Sequence, residues 1–355
     1  MQPLVICQVD FSTYNIPFHR PFVFASNTIG ERSGFYLKLK ALNGIEATGE
    51  IAPLMGISTE TPRRIRHDLT EIRSFLMDSQ VPLDKDILIN LLRREGRILN
   101  LCPSVRFGVE SAVMMLAAKA CDLSMAGFLG TSLEDVPCAA LLEGNYDQVM
   151  WDVKMFIKQG YKVFKLKVGD RNIALDVKKV ADIRALLPPQ GRLRLDANRR
   201  WSLKEACLFS ELVTGASIEF IEEPLSDISQ LEQFYQQAHL PVALDETLSV
   251  MPCGVNAPGR CQPPLGHHEA VSAYVLKPMI IGGIIPTLDW IEQAHRLGKK
   301  AIISSCFEST LGLKVLANLA CLTGQTAGLG TERWLKSDKP IIDEHGIIKK
   351  ELLMI

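Results

Sequence analysis

The chain has 355 residues, 47% of them hydrophobic and 22% charged, with a formal net charge of −1, which describes a folded protein of two-domain size rather than a disordered one. A near-neutral balance gives no electrostatic reason to propose nucleic acid or anionic membrane as the main partner, so the expected partner is a small molecule, with no protein partner implied. No basic region precedes a long apolar stretch at MQPLVICQVDFST, no run reaches the about 18 apolar residues of a membrane span, and nine scattered cysteines, including Cys121 and Cys306 in apolar stretches, read as reduced thiols in a cytoplasmic protein.

Residues 1 to about 62 alternate strand-like runs (LVICQVDFSTYNI, SGFYLKLKAL) with turn-rich segments such as ASNTIGERS and APLMGIST, the pattern of an antiparallel sheet. Helical spacing follows from Glu60 to Leu99, with Ser58 and Thr59 as candidate caps, and PSVRFGVESAVMMLAAKACDLS predicts a second, strong helix. After about residue 133 strand, loop and helix repeat: CAALLEG, YKVFKLKVG, GRLRLDAN, SIEFIEEP, PVALDET, AYVLKP, AIISSCFES and TAGLGT. Eight such units fit a parallel barrel. The expected fold is α/β: an α+β capping domain over residues 1–132, completed by the tail 331–355, and a TIM-like (β/α)7β barrel over 133–330. The segment between Thr247 and His268 is too rich in Pro and Gly for a regular helix and reads as a surface excursion.

Four charged residues end apolar runs of the barrel region: Asp196 in LRLDAN, Glu222 in IEFIEEP, Asp245 in PVALDET and Lys277 in AYVLKP. They are 26, 23 and 32 residues apart, about one strand-helix unit each, so a barrel brings them to one rim. Three convergent carboxylates without thiolate or imidazole suit a hard dication, Mg²⁺ with Mn²⁺ as an alternative, rather than zinc. One unit upstream, VFKLKVG places Lys165 and Lys167 two apart, on one side of a strand. A metal that holds a substrate carboxylate stabilises the charge left when a proton departs the adjacent carbon. Neighbouring ammonium, dication and partial burial would depress a lysine pKa enough for it to serve as the base. Lys277 would approach from the opposite side, as a second acid/base or as a fixed cation.

The order KxK, DAN, EEP, LDE and LKP resembles the enolase superfamily, within its muconate-lactonizing subgroup, over nearly the whole chain. GEIAPLMGISTET, PSVRFGVESA and SSCFESTLGL further resemble the o-succinylbenzoate synthase family of menaquinone biosynthesis. The resemblance implies Asp196, Glu222 and Asp245 as metal ligands, Lys167 as the proton-abstracting base assisted by Lys165, and Lys277 as the opposing lysine. It makes Glu222 rather than Glu223 the ligand of EEP, leaving Glu223 behind it or at the surface. The implied reaction is a syn-dehydration of a small cyclic carboxylate. An epimerase of dipeptides or N-acylamino acids, which needs a lysine on each face of the α-carbon, is the competing expectation on the same scaffold, with a cycloisomerase third. Arg20 to Ser33 and Gly49 to Ser58 resemble the loops that cover the barrel in this family, making Phe22, Leu54 and Met55 candidates for substrate contact, or else ordinary turn hydrophobes.

Arg194, two before Asp196, should share its side of the strand; it would hold a substrate carboxylate or pair with a barrel acid. Asn198 would bind substrate or serve as a turn residue. Ser305 and Glu308 would orient Lys277 or the substrate, with strand-end capping as the plainer role. Cys253, Cys261, His267 and His268 invite a weaker zinc reading, since their spacing is not that of a cysteine clip.

Overall fold

The computed structural model describes residues 2–354 apart from 25–26, 55–57, 59, 171, 250–268 and 337–338. Its N-terminal part is an antiparallel sheet of β1 (Leu4–Phe24), β2 (Asn27–Ala41), β3 (Glu46–Ile51) and β4 (Gln80–Val81), in the order β3-β2-β1-β4. Much of the stretch that reads as a turn, ASNTIGERS, belongs instead to β2. Phe22 to Phe24 pair with Ile29 to Asn27, so β1 and β2 run on as a two-stranded arm beyond the last β3 pair, Phe35 with Ile51. Pairing along the arm overrides the turn propensity of Asn27 and Gly30.

Thr61, rather than Ser58 or Thr59, caps the first helix. Its side chain accepts from Arg64 N at 3.2 Å, and Pro62 occupies the first helical position, where its missing N–H is harmless. The helical pattern to Leu99 resolves into Pro62–Leu76, Lys85–Arg94 and Gly96–Leu99, interrupted by β4. The helix Pro103–Ala120 is buried on all sides from Ser104 to Ala118, which its nearly continuous apolar sequence permits. It presses so closely on β3 that a Cβ on Gly49 would lie 1.9 Å from the Gly108 carbonyl oxygen.

The second part opens with β5 (Val136–Pro137), followed by seven parallel strands: β6 (Ala140–Leu142), β7 (Val163–Lys167), β8 (Arg192–Asp196), β9 (Ile218–Glu222), β10 (Val242–Leu244), β11 (Val271–Leu276) and β12 (Lys300–Ile303). They neighbour one another in chain order and curl into the barrel of the enolase-like fold. The eighth expected unit, TAGLGT, forms no extended strand. Single parallel bridges from Ala327 to Cys138 and from Gly328 to Ser304 join the two ends of the sheet there. Phe220, Ala243, Ala273, Val275 and Ile302 fill the interior as a separate apolar cluster, so the barrel is a packed core whose polar groups are displaced to its ends. In the tail, Leu335 bridges Phe18 of the arm, and β13 (Ile347–Ile348) pairs with β5. Among the described residues no helix is long and apolar enough to cross a membrane.

Because the Gly49–Gly108 contact is backbone against backbone, it cannot be relieved by a rotamer change. Gly49→Ala should lower stability by about 1–3 kcal/mol through overpacking, read as a lower denaturant midpoint. Gly30→Ala, where an added Cβ meets nothing within 4 Å, should stay within about 0.5 kcal/mol of the parent.

Candidate active site

The expected charged residues do meet at one end of the barrel. Asp196 and Glu222 are the last residues of β8 and β9, and Asp245 and Lys277 directly follow β10 and β11. Register aligns Lys167 with Asp196 and Asp196 with Glu222, so three neighbouring strands present charge at one level. Asp196 and Glu222 are each 1% exposed and Asp245 4%, which demands cationic partners close by. Lys165 Nζ stands 2.8 Å from both Asp196 Oδ2 and Glu222 Oε1. Lys167 Nζ donates to the same Asp196 oxygen at 2.8 Å and to Asn198 Oδ1 at 2.7 Å. Lys277 pairs with Asp245.

Electrostatics follow the pairing. Burial alone would raise Asp196, but Lys165 and Lys167 outweigh it and hold the carboxyl far below the usual range. Burial and the charge of Asp196 push Glu222 up to about 8, and burial likewise raises Asp245. Burial would lower Lys165 and Lys277, yet adjacent carboxylates raise both. At Lys165 this reverses the expectation of a depressed lysine, because the acids beside it act more strongly than the neighbouring ammonium.

Among the described residues no three acid, His or Cys side chains form a ready metal cage; ammonium groups stand between the carboxylates instead. The donor chemistry still fits a hard dication: three buried carboxylates on successive strand ends, oxygen donors throughout, with the Lys165 ammonium already bridging two of them as a cation would.

Supporting contacts extend the cluster. Asn198, in the left-handed region at φ 45°, accepts from Lys167 and donates through Nδ2 to Glu246 Oε1 at 3.0 Å. Glu223, fully buried rather than at the surface, accepts from Asp245 N at 2.8 Å, Thr247 N at 2.7 Å and Thr247 Oγ1 at 2.8 Å, while Arg199 pairs with its other side at 2.9 Å. These bonds fix the backbone that carries Asp245. Glu246 and Thr247 were legible only as neighbours in LDET; Arg199 carries no sequence signal of its own.

The expected substrate contacts divide. Arg194 does point inward, but its Nε donates to Glu219 Oε2 at 2.8 Å and Nη1 to the Thr326 carbonyl at 3.0 Å. Lys300 and Arg192 join the same carboxylate, and all of these residues lie at or near the strand beginnings. Arg194 is thus the partner of a barrel acid, the second of its two expected roles, and is directed away from the rim rather than toward substrate. Ser305 Oγ lies 2.6 Å from Thr331 Oγ1. Glu308 is fully buried and accepts from Cys306 N at 2.6 Å; it contacts the backbone of its own loop rather than Lys277. Burial and the charge of Glu50 push it up to about 7. Leu54 is buried in an apolar cluster with Phe18, Cys306, Phe307 and Leu335. Phe22 pairs with Ile29 through its backbone, while its side chain and all of Met55 lie outside the described residues, as do Cys253, Cys261, His267 and His268.

Comparison with known proteins agrees with this arrangement. A family described as enolase C-terminal domain-like matches residues 150–352, and one described as MenC, N-terminal domain, matches residues 7–116. The o-succinylbenzoate synthase of Haemophilus influenzae is 31% identical over 349 residues, covering 93% of this chain and 94% of that protein. Protein PHYLLO, chloroplastic, of Arabidopsis thaliana is 30% identical over 94% of this chain, which spans 22% of its length. In fold, the dipeptide epimerase of Cytophaga hutchinsonii, solved with Mg and the dipeptide D-Ala-L-Val, matches with a TM-score of 0.80 at 22% identity, covering 97% of this chain and 93% of that one. Family match, barrel rim and capping sheet agree: the chain belongs to the enolase superfamily and carries a MenC-type N-terminal domain.

Proposed function

We propose that the chain is an o-succinylbenzoate synthase, a carbon-oxygen lyase that dehydrates 2-succinyl-6-hydroxy-2,4-cyclohexadiene-1-carboxylate to 2-succinylbenzoate in menaquinone biosynthesis, in the cytoplasm. The observation that carries the reading is 31% identity to a protein of that name over nearly the full length of both chains, joined to a rim where two lysine systems flank three buried carboxylates. The same reading divides the chain into a cap (1–132 with 331–355) and a barrel (133–330), and its partner is a small-molecule carboxylate alone.

Asp196, Glu222 and Asp245 would hold Mg²⁺, with Mn²⁺ as a substitute. When bound, the dication supplies fixed positive charge beside the substrate carboxylate and opposes the negative charge that builds as the α-proton leaves. Lys167 is assigned as the base. Its side chain is 32% exposed against 16% for Lys165, so it faces incoming substrate while Lys165 remains among the acids. As base, Lys167 takes the α-proton and the C–H pair passes onto the substrate carboxylate as an enediolate; that pair then returns to form the new ring double bond as the C–O bond breaks on the same face. The ammonium just formed returns its proton to the departing hydroxyl, which leaves as water. Asn198 orients Lys167 through its 2.7 Å contact, and Lys277 presents a cation to the developing enediolate.

An epimerase or cycloisomerase is the alternative on this scaffold. The dipeptide epimerase likeness favours it only at the level of fold.

Lys167→Ala should lower turnover of the cyclohexadiene carboxylate by at least about 10²-fold, the usual cost of losing a general base, as followed by formation of the aromatic product. Near-normal turnover would remove Lys167 from that role. Asp245→Asn should shift the Mg²⁺ activation curve to higher concentration, and an unchanged metal titration would take Asp245 out of the ligand set.

A further inference from the structure

Two of the buried charged residues of the cap that take no part in the chemistry above reach the same barrel segment: Arg32, 2% exposed, and Glu50, 0% exposed. Arg32 is committed to backbone carbonyls. Its Nε donates to Phe307 O at 3.0 Å, Nη1 to Ser33 O at 3.2 Å and Pro53 O at 2.5 Å, and Nη2 to Ala52 O. Glu50 supplies the opposite polarity. It accepts from Ser309 N at 2.9 Å, Ser309 Oγ at 2.8 Å and Gly312 N at 2.8 Å, at the start of the helix Thr310–Cys321, where amides lack intrahelical partners. Cation and anion from the cap therefore grip one short barrel segment, residues 307–312.

That segment continues from the rim. Ser305 and Cys306 precede Phe307, and Phe307 holds a φ of 60°, unfavourable for a bulky residue unless its surroundings enforce it. Its ring meets Phe18 of the arm edge-on, with centroids 5.4 Å apart, and Trp334 at 6.2 Å. Leu54, Cys306 and Leu335 complete the cluster, and Ile280, three residues beyond Lys277, packs against it. An apolar wall thus stands beside the charged rim, built from five separate stretches of chain.

We propose that Arg32 is a positioning residue for substrate recognition: it ties the arm at Ser33 and the segment after β3 at Ala52 and Pro53 to the Phe307 carbonyl, setting the wall formed by Phe18, Leu54 and Phe307. Resting on the reading of the rim as the active site, the wall receives the uncharged ring of a cyclic carboxylate whose charged end lies among the lysines and acids. Arginine is required because its planar fork reaches several carbonyls at once, which the single ammonium of lysine cannot.

The test uses the full chain with Arg32→Lys and Arg32→Met. For Arg32→Lys, KM for the cyclohexadiene carboxylate should rise about tenfold while kcat stays within about threefold, the signature of lost binding that is equal in ground and transition states. Hydrogen exchange supplies a second measurement that needs no substrate. In both variants the amides of Ser309 and Gly312 should exchange at least about tenfold faster, with those of β7 to β9 unchanged, as local opening requires. Unchanged exchange at Ser309 and Gly312, an equal increase throughout the barrel, or a fall in kcat at unaltered KM would overturn the proposal. Wild-type protein that shows no turnover of this substrate would count against the functional reading, while the exchange measurement would still decide the role of Arg32.

Discussion

Three carboxylates buried side by side at a barrel rim can stay ionised only if cations stand among them, and the chain's chemistry depends on that constraint. The barrel forces Asp196, Glu222 and Asp245 together because each sits at or just past the end of a neighbouring strand. Their mutual repulsion and burial are met by Lys165, Lys167 and Lys277, each within ion-pair distance of at least one of them. Compensation is uneven. Asp196, with two ammonium partners, is driven down, while Glu222, with one, is driven up to about 8. A site so poised accepts further positive charge readily, and a dication among the acids would release lysines from holding carboxylates.

The cap is joined to the barrel by polar contacts as much as by apolar area. Glu110 pairs with Arg106 at 2.7 Å and reaches the Ile285 amide at 2.8 Å, so the long cap helix grips the start of a barrel helix. Glu50 and Arg32 do the same around residues 307–312. Apolar surfaces alone would tolerate sliding; buried charges that must find particular amides and carbonyls fix one orientation. Charged floor and apolar wall therefore arise from different parts of the chain, the floor from strand ends and the wall from the arm, the segment after β3, residues 306–307 and the tail.

Much of the floor was legible in the sequence, because strand-end position and one-unit spacing translate directly into barrel geometry. Asp196, Glu222, Asp245, Lys165, Lys167 and Lys277 needed no other information to be gathered at one rim. Alternation placed Arg194 inside the barrel but could not say which way along the axis its long side chain turns, and Glu219 decides that. For Glu223 the sequence left open a place behind Glu222 or at the surface, and the first holds; its partners, the amides of Asp245 and Thr247, belong to the next strand's loop and so could not be read locally. The wall was hardly legible at all. Arg32 and Phe307 lie 275 residues apart and Glu50 and Ser309 259 apart, and neither pairing leaves a periodic trace. Local turn propensity around Asn27 misled for the same reason: pairing along the arm is a tertiary effect.

The most direct test of the central claim is a side-by-side assay of the purified protein with Mg²⁺, offering the succinyl-hydroxycyclohexadiene carboxylate beside a panel of dipeptides and N-acylamino acids. The account predicts Mg²⁺-dependent appearance of 2-succinylbenzoate as the dominant activity. Epimerisation of the panel with no aromatic product would contradict it.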